Sequence, residues 1–486
     1  MDTAQRILNP EVLTAHGNVR GRQDMVRILE AGLRAADPYN NTRALFQRDG
    51  DWLTVGHPDF YLPGEPNPAP ETIDLRKVDR IYVVGAGKGI QRAAKAVEDA
   101  LGERLTGGHV IDKHGGPLIL ERIGVTFGAH PVPDEGCVLG CQRILELIRG
   151  LSERDLVITV VGNGVSALLT LPVPGVSLED VRQTTHLMQI QRGASTGDLN
   201  PVRNHLDQMK GGRISRYLQP ARAIHILAWG GQSYPDVLER NVWLHTLPEG
   251  STFAQAVAML KKHDAWDEVP ASVRDFLLRA DPAWATVKKD EFLRMRARIF
   301  GTMPPHLGMH PTAKRVAAEL GYRAVVLYNN SHFEAAPAGV MAAAIALQCA
   351  QQGEPFAPPC VLIGGGEMLV TVGRDGGMGG RNQEWALSAA RRIAGQPRIV
   401  MASVDSDGTD GPGHQFAAGY DDVPVLDGGI VDGYTLAEAK AAGYDVEAEL
   451  RRHNTSPILY RLGCGVVATH NISMNDLTVI LVTDQD

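Results

Sequence analysis

Short apolar runs ending in glycine alternate along this chain with longer stretches whose apolar positions recur at helical spacing. "RIYVVGAGKG" predicts a strand and a tight turn, and "IQRAAKAVEDALGERL" a helix. "GGHVIDKHG" predicts a second strand, "CVLGCQRILELIRGL" a helix, and "DLVITVVGNGVSALL" a third strand entering a Gly-rich turn. "LEDVRQTTHLMQIQRGA" and "LNPVRNHLDQMKGGRISRYL" predict helices, and "ARAIHILAWGG" another strand. This is the rhythm of an open parallel sheet covered on both faces. In such sheets ligands sit beyond the carboxyl ends of the strands. The turns at Gly85, Gly162 and Gly230 all fall there.

From Pro235 to about Pro305 the pattern is mixed. A new alternation starts near His310. "TAKRVAAELGY" predicts a helix, "RAVVLYNN" a strand, and "AAPAGVMAAAIALQCAQQ" a long helix. "CVLIGGGEMLVTV" reads as two strands joined at a Gly-rich turn, "RNQEWALSAARRIAG" as a helix, "RIVMASVDSDGTDGP" as a strand with an acidic loop, and "DLTVILVTD" as a terminal strand. The expected fold is α/β with two domains, a larger one over 1–304 and a smaller one over 305–486.

Composition narrows the function classes. A chain of 486 residues exceeds one ordinary core, and 44% hydrophobic with 21% charged residues is a globular balance. A net charge of −8 argues against a nucleic-acid surface. No apolar run has the length of a membrane span, and "MDTAQRILNPEVLTAHGN" lacks the pattern of a signal peptide. The five cysteines, an odd number without a framework, fit a reducing, cytoplasmic setting. Cys137 and Cys141 are four apart on a predicted helix, but no second pair at zinc spacing accompanies them.

The candidate chemistry lies in the turns. In "GAGKG", Gly85, Gly87 and Gly89 allow close backbone approach, and Lys88 adds a point charge before a helix, which suits an anion. The stretch is neither a Walker loop nor the full dinucleotide fingerprint, because Ile90 stands where the third glycine belongs. Asp112, near the end of the next strand, keeps a dinucleotide reading open. In "GNGVSALLTLPVPG", Ser166 either donates to a carboxylate or phosphate or simply caps a helix. "LNPVRNHLDQMKGGR" places Arg203 and Lys210 one heptad apart, on one face if the helix is continuous, with His205 and Arg213 nearby. "GGRNQEWAL" sets Arg381 at a helix start, where it suits a phosphate oxygen, with Glu384 in the first turn. "DSDGTDG" holds Asp405, Asp407 and Asp410. The calcium-loop pattern fails at Phe416, whereas magnesium with a nucleotide needs only one or two carboxylates. Positioned cations, helix termini and a metal carboxylate are the equipment of phosphoryl transfer.

These motifs resemble the class II glycerate 2-kinase family, which has a Rossmann-like N-terminal domain and a C-terminal domain of the MOFRL type. The matching stretches include "VVGAGKG", "HPVPDEG", "SALLTLPVPGVSLEDV", "GDLNPVRNHLDQMKGGR", "GGGEMLVTV", "GGRNQEWAL", "DGTDGP" and "MNDLTVILV", in family order. The resemblance implies ATP- and Mg2+-dependent phosphorylation of the 2-hydroxyl of D-glycerate in an interdomain cleft. It implies Lys88 and Arg381 as catalytic cations. Asn163, Ser166, Arg203 and Lys210 then fall toward the substrate. Gly85, Gly87, Gly89, Gly365, Gly380, Asn382 and Glu384 fall toward the nucleotide, and Asp405, Asp407 and Asp410 toward the metal. The partners so named are a small hydroxy acid and, in a homodimer, a second copy of the chain.

The chain departs from the family at several strand ends. "GNGVSA" replaces a Ser-Gly-Gly-Gly-Ser-Ala turn, Asn204 replaces a lysine, and "AWGGQSYPDVLERNVWLHTLP" replaces an acidic motif with its Gly-Pro turn. Two other classes therefore stay open beside the kinase: an NAD(P)-dependent reductase of the hydroxypyruvate type, with Asp112 on the ribose, and a metabolite-binding or otherwise altered descendant of the family.

Overall fold

The computed structural model describes residues 5–372, 376–415 and 417–484. It divides into two units, Pro38–Pro304 and Met1–Asp37 with Pro305–Asp486. The first unit opens with a small antiparallel sheet of β1 (Phe46–Asp49), β2 (Trp52–Val55) and β3 (Glu71–Asp74). Its main sheet comprises β4 (Ile81–Ala86), β5 (Gly107–Lys113), β6 (Ile123–Gly128), β7 (Leu156–Val161), β8 (Arg222–Leu227) and β9 (Ala297–Gly301). These strands are all parallel and lie in the order β6-β5-β4-β7-β8-β9. The chain winds outward from β4 to β6, returns to set β7 beside β4, and winds outward the other way. That is the doubly wound order, with its switch point between β4 and β7. Both central strands are buried along their whole length, as covered parallel strands must be.

Two strands of this parallel sheet escape the sequence pattern. β6 is an edge strand whose burial alternates, and β9 lies in the mixed stretch before Pro305. The helix expected across Leu199–Leu218 is broken. It runs over Thr196–His205, stops, and resumes at Arg213–Tyr217 after Gly211 and Gly212, both at positive φ. Lys210 therefore lies off the helix that carries Arg203. The segment expected as one helix after Ser177 runs as Leu178–Thr185 and then widens into a π turn, His186–Gln191.

The second sheet comprises β10 (Arg323–Val326), β11 (Cys360–Gly366), β12 (Ile399–Asp405), β13 (Gly428–Asp432), β14 (Gly465–Val466) and β15 (Asp476–Val482), in the order β10-β11-β15-β12-β13-β14. Only β10 and β11 are parallel; β15 runs antiparallel between β11 and β12. Its first residue, Asp476, thus lies level with Gly366 and Asp405, the last residues of its neighbours. The second strand expected in "EMLVTV" does not form. Leu369 makes one isolated bridge with Glu334, and residues 373–375 lie outside the described residues.

Helices Ala335–Gln352 and Arg381–Arg392 cover one face of this sheet. The other face is covered by Met309–Glu319 and by Val19–Ala35, from the start of the chain. Met25, Ile28, Leu29 and Leu33 of that first helix pack with Val400, Ala402, Leu477 and Val479. The expected boundary of 1–304 is corrected accordingly: the residues up to Asp37 belong with the sheet of Pro305–Asp486, because their apolar stripe is buried there. A fully buried ion pair, Arg22 Nε to Asp432 Oδ2 at 2.6 Å, secures the same segment. His16 adds a contact to Glu438 at 3.0 Å and one to the Gly463 carbonyl at 3.2 Å.

Among the described residues no helix is long and apolar enough to cross a membrane, and all five cysteines are free and buried. Cys137 and Cys141 sit inside helix Glu135–Leu147 as core residues, and burial pushes the Cys137 thiol up to about 12.

Hydrogen bonding to the Cys464 side chain, opposed by burial and by Arg22, raises His16 from 6.5 to about 9. A raised histidine stabilises the fold fully below its unfolded value and loses that contribution as pH rises through its folded value. Denaturant unfolding of the wild type is therefore expected to show stability falling between about pH 6.5 and 9, and His16→Gln to lack that decline. Equal slopes for both proteins would show that His16 titrates alike in the folded and unfolded chains.

Candidate active site

At the switch point two glycine turns share one space. In β4, a Cβ on Gly85 would stand 1.9 Å from the Val160 carbonyl oxygen of β7, so only glycine lets the strands pair here. After β4 the Lys88 amide donates to the Asn163 carbonyl at 2.7 Å, and the Gly162 amide to the Ala86 carbonyl at 3.3 Å. Gly164 is left-handed, with φ of +82°, and a Cβ there would meet Lys88 Cγ at 2.7 Å and His130 Cδ2 at 3.3 Å. The half-buried stem of Lys88 thus lies against the second turn. Gly85, Gly87, Gly89, Lys88, Asn163 and Ser166 come together as adjacent parts of one sheet edge.

Asp112 is engaged mainly by the neighbouring Gly89 turn. Its Oδ1 accepts from the Gly89 and Lys113 amides, both at 2.7 Å, and its Oδ2 from Gln91 Nε2 at 3.1 Å. Burial raises its pKa. The carboxylate expected on a ribose instead holds the Gly89 turn against β5.

Ser166 opens the short helix after β7 and heads a polar chain. Its Oγ lies 2.8 Å from His245 Nε2, and Asn200 Nδ2 donates to it at 3.4 Å. Arg203 donates twice to Asn200 Oδ1, from Nε at 3.0 Å and from Nη2 at 2.6 Å. Burial lowers Arg203 to about 10. Arg203 therefore reaches Ser166 through Asn200. Lys210 sits elsewhere in the interior, 1% exposed, with Nζ on Asp207 Oδ2 at 2.6 Å and Thr170 Oγ1 at 2.7 Å. Its ammonium is consumed by that ion pair, and Arg213 is buried on the carbonyls of Asn204, Lys210 and Trp284. The basic cluster read from the sequence is thus largely internal scaffolding.

In the second unit the corresponding edge is built on Asp476. Arg381, at the start of helix Arg381–Arg392, donates from Nε to both Asp476 oxygens at 2.9 Å and from Nη2 to Asp405 Oδ2 at 2.6 Å. Asn382 donates to Asp476 Oδ1 at 2.9 Å, and the Met368 amide to Asp476 Oδ2 at 3.0 Å. Asp410 caps the helix start, accepting from the Asn382 amide at 3.2 Å and the Gln383 amide at 2.9 Å. A Cβ on Gly380 would meet that carboxylate at 2.3 Å, whereas one on Gly365 would meet His310. Asp407 accepts from Thr409 at 2.7 Å. Arg381, Glu384, Gly380 and His453 line a cavity of about 590 Å³ walled on one side by Met368, Leu369 and Val370. Glu384 is bonded to His453 Nδ1 there, and burial raises its pKa.

The acidic loop has a further member. Asp427 is fully buried, and neither of its oxygens has a hydrogen-bond partner of normal geometry. Burial, then the charges of Asp405, Asp407 and Asp410, raise its pKa far above the usual range, with some relief from the Gly408 amide. An uncompensated buried carboxylate beside three others is a place where a cation fits. The three carboxylates read from the sequence do not themselves converge on one point. Among the described residues, the group whose ligand atoms all lie within 4.8 Å of one another is His16, Glu438 and Cys464, where the Arg22 guanidinium already supplies positive charge.

The sequence reading assigns no role to His245, Asn200, Asp427, Asp476 or His453, although Asn200 and Asp476 lie within stretches that match the family. The His245–Ser166 contact spans 79 positions, and Asp476 acquires its place only because β15 inserts between two older strands.

A doubly wound sheet with a lysine turn at its switch point, and a second unit with a half-buried arginine at a helix start, fit an α/β phosphotransferase, the class to which the relatives belong. Residues 24–278 match the model described as a domain of unknown function, DUF4147, and residues 360–475 match the MOFRL family. The chain is 32% identical to the glycerate 2-kinase of Pyrococcus horikoshii, across 96% of this chain and 98% of that one. It is 32% identical to the D-glycerate 2-kinase of Thermotoga maritima, across 85% and 93%. The crystal structure of glycerate kinase from Thermotoga maritima superposes with a TM-score of 0.71 at 29% identity, covering 95% of this chain and 99% of that one. The chain belongs to the glycerate 2-kinase family.

Removing the guanidinium from the second unit leaves Asp405 and Asp476 side by side, buried and without their cation. Arg381→Met is expected to destabilise that unit by about 3–5 kcal/mol, the usual result of orphaning buried charges. Arg381→Met combined with Asp405→Asn should recover part of the loss. Chemical denaturation of the single and double variants measures both. A single variant as stable as the wild type would mean that the arginine contributes no net stability.

Proposed function

We propose that this chain is an ATP- and magnesium-dependent kinase that phosphorylates a hydroxyl of D-glycerate or a closely related small sugar acid. The observation that carries the reading is the pairing of the Lys88 turn with the Asn163–Ser166 turn at the switch point of the parallel sheet. Sheets of this order bind ligands there, and a lysine between glycines suits a phosphoryl group as a point charge. The names of the Pyrococcus horikoshii and Thermotoga maritima relatives, glycerate 2-kinase and D-glycerate 2-kinase, support this reading.

In the reaction the acceptor hydroxyl oxygen bonds to the terminal phosphorus of ATP, the bond to ADP breaks, and the hydroxyl proton is released. Lys88 stabilises charge on the phosphoryl oxygens as they spread in the transition state. Ser166 and Asn163, with Arg203 behind Asn200, hold the hydroxy acid. In the second unit Arg381 supplies fixed positive charge, and the cavity beside Glu384 offers the apolar face of Met368, Leu369 and Val370 to a nucleobase. One or two carboxylates of the loop of Asp405, Asp407 and Asp410, with Asp427 behind them, would hold magnesium, which would supply neutralising charge to the phosphates. The reductase alternative is less well supported, because both Asp112 oxygens are already bonded to Gly89 and Gln91, just after β4.

A coupled assay of ADP release, run with magnesium across three- to six-carbon hydroxy acids, is expected to give turnover with D-glycerate or a near relative. Lys88→Ala should lower kcat by roughly a hundredfold or more, the scale of one lost transition-state contact, with an unchanged melting temperature. No ADP release with any acid would overturn the reading, and normal turnover in Lys88→Ala would remove the lysine from the mechanism.

A further inference from the structure

The hydroxyl of Ser166 has its directions assigned by its neighbours. Arg203 places two N–H donors on Asn200 Oδ1, which fixes the amide so that its NH2 group faces Ser166. Asn200 can therefore only donate to the serine oxygen. One lone pair of that oxygen is thereby filled, leaving one lone pair and one proton to be shared between His245 and whatever occupies the site. His245 is 1% exposed, and Ser166 is half-buried at the edge where β7 ends. Burial, together with the positive charges of Lys210, Arg203 and Arg213, keeps the imidazole neutral. Its Nε2 is then either a donor or an acceptor toward Ser166, and the two cases present opposite faces of the serine. If Nε2 accepts, the serine proton is consumed and Ser166 shows a ligand only a lone pair, which repels an anionic oxygen. If Nε2 donates, both lone pairs are filled and the O–H is left for an acceptor outside.

We propose that His245 is a positioning residue. By donating through Nε2 to Ser166, it directs the serine proton outward onto the carboxylate of a small hydroxy acid, so that His245, Asn200 and Arg203 together make Ser166 a donor for an anion. The inference rests on the proposed kinase reading for the choice of ligand and on the geometry for the roles. His245 lies within "AWGGQSYPDVLERNVWLHTLP", the stretch in which this chain differs from the pattern it resembles, so the arrangement is a property of this chain's own residues.

Equilibrium binding of D-glycerate to the full chain, by calorimetry, tests it beside the ADP-release assay. Ser166→Ala and His245→Leu are each expected to weaken D-glycerate binding about tenfold, the scale of one hydrogen bond to a charged group. Kinetically, KM for the acid should rise and KM for ATP stay unchanged. His245→Gln, which keeps an N–H donor but cannot act as a base, should restore binding to within about threefold of the wild type. His245→Leu placed on Ser166→Ala should add no further loss, since coupled residues are not additive. Unweakened or tighter binding in Ser166→Ala would mean that the serine shows a lone pair to the ligand, and would overturn the proposal. So would full additivity of the two substitutions, or a His245→Gln variant that is well folded by its melting curve but as weak as His245→Leu. D-glycerate binding without ADP release would overturn the kinase reading alone and leave this inference standing. ADP release with both variants unaffected would do the reverse.

Discussion

The contact between Gly85 and the Val160 carbonyl is the constraint from which the first unit's chemistry follows. A methyl group at position 85 would occupy the place of a backbone oxygen, so β4 and β7 can be neighbours only with glycine there. Their pairing creates the switch point, and the switch point brings two turns from distant parts of the sequence into one hydrogen-bonded edge. The lysine stem then rests on Gly164, where a side chain would displace it. One missing methyl group after another determines where the ammonium can be. The same edge carries Ser166, which receives its polar surroundings from residues on two further segments.

The second unit reaches a similar end by different means. Its sheet is mixed, and its central strand is the last one in the chain. Antiparallel insertion puts a carboxylate, Asp476, among the carboxyl ends of β11 and β12, where a parallel strand would have put its own end. Arg381 answers that buried charge together with Asp405, and the same helix start is capped by Asp410. The arginine is therefore both a structural counter-ion and the positive wall of the adjoining cavity. Its stability role and any role toward a bound anion are carried by one side chain.

How much of this was legible depended on how local each signal was. The strand–glycine–helix units around Gly85, Gly162 and Arg381 were readable because a tight turn needs particular residues in adjacent positions. β6 was not, because an edge strand is half-exposed and its short alternating run resembles a loop. Arg203 and Lys210 looked like one basic face because heptad spacing assumes an unbroken helix, but the helix ends at His205 and Asp207 turns away to bridge Pro172. Asp112 stood at the position of a ribose ligand, but only the fold shows that three donors, two of them from the segment just after β4, occupy it. His245, Asp427 and Asp476 act across the fold, so no window of sequence could contain both partners.

The helix Val19–Ala35 has a consequence for how the molecule is made. It is synthesised before Pro38–Pro304, yet the strands that cover Met25, Ile28, Leu29 and Leu33 include β15, which is made after that segment. Between them the ribosome delivers the whole of Pro38–Pro304, whose sheet closes with contacts internal to that segment. An inserted unit of this kind can fold on emergence, because domains tend to fold as they are completed. The flanking unit must wait, with an apolar stripe uncovered for most of translation. Long-range closure of this sort is slow and leaves sticky surface in the meantime. That helix is thus a debt carried across the whole inserted segment, and the nascent protein's dependence on chaperones is expected to be concentrated there.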